Sequence, residues 1–140
     1  IGYSHASAPT TAGGRQLVLH GDEGPGAQLT VVDADPSSRT YMQAIGQYQT
    51  RPETSISGIV AIGDRAYIAY YHDGVRVLDL ADPTAPKLLG YFNTWDPSDI
   101  STGSWLFESA RGIDVDPSQR LIYVADTQRG LIILRDQTPQ

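Results

Sequence analysis

His20-Gly21-Asp22-Glu23 and His72-Asp73-Gly74 are the two stretches in which a histidine and carboxylates sit within three residues of each other. Imidazole can move a proton or ligate a metal near neutral pH, and a neighbouring carboxylate can assist either task. Asp22 and Glu23 offer oxygens to a hard cation such as Ca2+, and His5 and His20 would add nitrogen. A third polar loop, Asp126-Thr127-Gln128, holds one more carboxylate. The spacing matches no metal signature of the H-E-x-x-H kind. Asp73-Gly74 is also the composition of a hairpin turn, where glycine supplies a positive φ. The expectation is a blade turn at His72–Gly74 and a solvated acidic rim elsewhere. No resident cofactor is expected, and His5, Asp22 and Glu23 are the metal candidates to check.

A second oxygen-rich stretch, Asp96 to Ser104, carries Asp96, Asp99 and four hydroxyls between Trp95 and Trp105. Such loops can bind Ca2+, but the EF-hand spacing is absent, so a long connection is expected. Trp95 and Trp105 are interface candidates as well as residues that pack between elements. Asp33, Asp35, Asp79 and Asp82 close strands, and Asp82-Pro83-Thr84-Ala85-Pro86 reads as an Asx-type turn. The binding candidates on the rim loops are therefore His20, Asp22, Glu23, His72, Asp73, Trp95, Asp96, Asp99, Trp105 and Asp126. No catalytic set stands out. Phosphate-cradling glycine loops and serine elbows do not occur.

These residues need a scaffold. The 140-residue chain is 40% hydrophobic and 19% charged, which suits one globular unit. A formal charge of −6 with scattered basic residues argues against nucleic acid as a partner. With no cysteine, disulfides and thiolate sites are excluded. No apolar run is long enough for a transmembrane helix. Fourteen glycines and nine prolines suit short strands joined by tight turns.

The scaffold is repetitive. Gly13 to Asp35, Ile62 to Asp82 and Pro117 to Asp136 each run from a polar turn through an arginine, a strand, a polar loop and a β-branched strand. The marker arginines Arg15, Arg65 and Arg120 are 50 and 55 residues apart. Flanking strands bring each unit to four, in meander order, with no room for crossover helices. A four-stranded meander at this period is a β-propeller blade. The expected fold is all-β: a β-propeller fragment of about three four-stranded antiparallel blades, at roughly 4–50, 56–95 and 108–136. The last blade would lack its outer strand. The chain reads as the C-terminal part of a larger propeller whose upstream residues complete that blade.

Ala66-Tyr67-Ile68-Ala69, Gly74 to Leu80, Asp82-Pro83, Pro86 and Gly90-Tyr91 resemble the LVIVD repeat of bacterial and archaeal surface β-propellers. The segment from Tyr3 to Glu23 is similar to the His-led, Ser/Thr-rich turn of a preceding blade. The last unit is also similar to NHL-type repeats through Gly112, Asp116-Pro117, Tyr123 to Asp126 and Gly130. Arg135 departs from the pattern, since Asp33 and Asp79 occupy its place. The resemblance implies a secreted, periplasmic or cell-surface scaffold that binds protein or another surface component. It implies as partners the rest of the parent chain or another subunit of a surface assembly. An alternative is a propeller hydrolase or lyase holding a metal in the central channel, for which the inner strands offer His5 and Asp114.

Overall fold

The computed structural model describes residues 3–96 and 107–139. Asp99 and Trp105 lie outside the described residues, as does most of the stretch from Asp96 to Ser104. Every regular element among the described residues is a strand, arranged as three antiparallel meanders. The first sheet is β1 (Ser4–Ala12), β2 (Arg15–Asp22), β3 (Leu29–Asp33) and β4 (Ala44–Tyr48). The second is β5 (Gly58–Ile62), β6 (Arg65–Ala69), β7 (Val75–Asp79) and β8 (Lys87–Phe92). The third is β9 (Ala110–Asp116), β10 (Leu121–Asp126) and β11 (Gly130–Arg135), and it ends at three strands. The first strands of the sheets lie side by side, β1 on β5 and β5 on β9. This is the arrangement of propeller blades around an axis, and the ring is not closed.

The inner strand expected to carry His5 is β1, and it runs on through the Ser/Thr-rich segment that the resemblance placed at a turn. Its alternation is visible in burial: Ala8 and Ala12 are buried, while Pro9 and Thr11 are exposed. Two-residue turns explain why Arg15 and Arg65 looked equivalent, since each follows one directly (Gly13-Gly14 and Gly63-Asp64). Measured on the ladder to the third strand, the arginines are out of step. Leu17, Arg65 and Leu121 are the residues that pair with Asp33, Asp79 and Arg135. The place of Arg135 at the end of its strand is as the sequence indicates.

Two cores hold the blades together, one at each junction. Leu17, Leu19, Leu29 and Val31 of the first blade pack on Ile56, Ala66, Ile68, Leu78 and Leu80 of the second. Tyr67, Ala69, Val75 and Val77 of the second pack on Ala110, Ile122 and Val124 of the third. Full burial of one such aliphatic side chain is worth about 1.5–3 kcal/mol. The alternation of each strand therefore feeds two junctions, one on each face of the blade.

Since the strands alternate in direction, the connections alternate between two ends. One end carries Asx turns. Asp33, Asp35, Asp79, Asp82, Asp116 and Asp136 each accept the backbone N–H of the residue two positions on. The opposite end carries the His- and Asp-bearing loops. At that end the loop between β6 and β7 is closed by Gly74, at φ 70°. A Cβ on Gly74 would stand 2.2 Å from the carbonyl oxygen of Phe92, so both conformation and space require glycine.

Candidate functional site

The loop end brings most of the candidate residues to one side of the molecule, in separate small groups. His20 Nε2 lies 3.0 Å from Asp22 Oδ1. His5 Nδ1 is 3.7 Å from Glu23 Oε2, and the hydroxyl of Tyr71 donates to the other Glu23 oxygen. Burial raises the Tyr71 phenol first, and the Glu23 carboxylate adds to that. The Tyr71 ring meets Phe107 edge-on at 5.3 Å. His72 stacks on Trp95 with ring centroids 4.5 Å apart and planes 10° from parallel. Asp96 is exposed just beyond it.

The rim is less solvated than expected. His72, Asp73 and Asp126 are all buried. Asp73 accepts from Arg51 Nε at 2.9 Å. Asp126 Oδ1 accepts the backbone N–H groups of Gln128 and Arg129, both at 2.9 Å, so it caps the β10–β11 turn. These carboxylates shape loops from inside, because short hairpins leave backbone N–H groups that a nearby Asp can satisfy. Among the described residues no three His, Asp or Glu side chains gather closely enough to hold a metal ion. His5 and Glu23 pair, while Asp22 turns to His20, so the three metal candidates do not converge. Asp114 uses Oδ1 to accept the N–H of Val115, and it does not join His5.

One group escaped the sequence reading. Arg76 is the second residue of β7 and is only 9% exposed. Its Nη1 donates to the carbonyls of Asp73 and Val75 and to Asn93 Oδ1. Burial pushes its guanidinium pKa down, and the nearby Asp73 carboxylate acts in the opposite sense. Arg76 lies 5.1 Å from the ring centroid of Tyr91 on β8. The sequence did carry a signal for it. The same ladder position holds Thr30 in the first blade and Ile132 in the third, so a buried cation there is not demanded by the repeat.

The sheet that carries Arg76 is also the one with a recognisable relative. A search of curated proteins finds no match to the chain. The family model of the LVIVD repeat matches residues 55–94, which span β5 to β8. The middle sheet thus matches a repeat of a family associated with β-propellers, in line with the three open, blade-like sheets.

Proposed function

We propose that the chain is the C-terminal part of a larger β-propeller and serves as a non-catalytic, extracytoplasmic scaffold. One observation carries the reading: the third blade is unfinished on two sides. Among the described residues its β11 edge pairs with no further strand, and Leu131 and Ile133 on it are 69% and 56% exposed. The ladder makes these residues equivalent to Val75 and Val77 of the second blade, which are buried against the third. Edges and apolar faces of this kind are covered in native proteins. The occupant proposed is a further blade and closing strand of the same polypeptide. The placement outside the cytoplasm follows from the resemblance of the middle blade to repeats of surface propellers.

The experiment is site-specific photocrosslinking in the native protein with a benzophenone amino acid at position 133. A crosslink within one polypeptide, to a segment outside residues 1–140, supports the reading. A probe at 133 that stays solvent-exposed and reacts with nothing overturns it. Protease accessibility of the tagged protein on intact cells checks the compartment.

A further inference from the structure

We propose that the groove between the outer strands of the first two blades binds a carboxylated sugar, a uronate ring, through Arg51, Arg76 and Tyr91. The groove is a shallow, open one of about 380 Å³, lined by Tyr48, Arg51, Asp73, Arg76, Leu88 and Tyr91, among others. It goes beyond the scaffold reading, and both blades that form it are four-stranded, so it does not depend on how the ring is completed.

Two guanidiniums face this groove against a single carboxylate. Arg51 uses Nε for Asp73, and its terminal amino groups make no bond among the described residues. Arg76 is nine-tenths buried and, among the described residues, forms no ion pair with a carboxylate. Carbonyl oxygens and Asn93 take its Nη1, and the Tyr48 hydroxyl at the groove wall also hydrogen-bonds the guanidinium. Among the described residues Asp73 is the one carboxylate near both guanidiniums, and Arg51 already binds it, so the pair retains one positive charge that an incoming anion can meet. The chain is acidic overall, with a formal charge of −6, so a cationic groove is a local feature and not a general one.

The shape narrows the class. Guanidinium forks match the two oxygens of a carboxylate. Tyr91 is 66% exposed although Arg76 lies over its ring, which leaves a ring face available to the CH face of a sugar. Leu88 is 45% exposed beside it, and the groove rim carries Gln49 and Thr50 for hydroxyl groups. The volume takes one or two rings.

The test is a titration of the full chain with D-glucuronate, D-glucose, inorganic sulfate and a tri-glutamate peptide, followed by isothermal calorimetry and by backbone NMR shifts. Glucuronate is expected to bind, with shifts at Arg51, Arg76 and Tyr91, and glucose to bind at least tenfold more weakly. Tyr91→Ala changes an exposed part of the groove and should weaken glucuronate about tenfold while leaving the melting temperature unchanged. Arg51→Gln should weaken it about tenfold and also lower the melting temperature, because it leaves the buried Asp73 without its partner. An oligouronate that binds more tightly than the monosaccharide would identify a polymer as the source of the ring, and an equal affinity would identify the free sugar acid. Sulfate or tri-glutamate binding as tightly as glucuronate would overturn the sugar assignment. Absence of glucuronate binding, or shifts elsewhere, would overturn the site.

Discussion

Asp33 lies fully buried at the close of β3, where the Ser38 and Thr40 hydroxyls both donate to Oδ2 and Arg15 reaches the same oxygen at 2.8 Å. The Ser38 hydroxyl first, then Thr40 and the backbone N–H of Asp35, hold its pKa down at about 2, against 3.8 for a free side chain. A depressed carboxylate stabilises the fold above its unfolded pKa and loses that contribution as pH falls through the folded value. Stability measured by urea unfolding should therefore drop between about pH 4 and pH 2. Ser38→Ala should flatten that part of the curve, and an unchanged acid limb would contradict the assignment. At the second junction Tyr67 donates to Asp136 at 3.0 Å across the blades. Tyr67→Phe should cost about 0.5–1.5 kcal/mol, read as a lower urea midpoint with the same slope. The Asx aspartates were legible in the sequence because their role is local, two residues long. Arg76 showed only as the one cation at a repeat position that holds Thr30 and Ile132 elsewhere; its carbonyl acceptors leave no spacing pattern, and Arg51, which shares its groove, lies on another blade's exit loop.

At the scale of elements, tight approaches decide which substitutions are tolerated. Gly46 on β4 stands where the Pro83 loop of the next blade crosses it, and a Cβ there would lie 2.1 Å from the Pro83 carbonyl oxygen. Gly46→Ala must separate β4 from that loop, so it should lower the melting temperature by several degrees. Gly63→Ala meets no neighbouring atom and carries only the cost of φ 56°. It is the control, and equal losses for both would argue against the close approach. The exposed pair on β11 predicts the opposite behaviour. Leu131→Lys together with Ile133→Lys should leave the thermal stability of residues 1–140 unchanged and reduce their aggregation in light scattering. The strand periodicities and the missing fourth strand were legible from alternation and turn residues. The ladder offset between Arg15, Arg65 and Arg120 was not, since β2 extends past β6 at its first turn and a linear alignment absorbs the difference in loop length.

At the scale of the molecule, two filled junctions and one empty one describe the chain. Each filled junction pairs a face like Leu19, Leu29 and Val31 with a face like Ala66, Ile68 and Leu78. Tyr123, Leu131 and Ile133 repeat the first kind of face, and no further blade among the described residues packs on it. Adding a blade would bury that face at no change in the existing ladders, which is how repeat arrays grow. Amide hydrogen exchange on β11 in the native protein tests this most directly. The account predicts that the β11 amides facing away from β10 are protected as strongly as those of β7. Exchange at the rate of an open edge, with β7 protected, would contradict it.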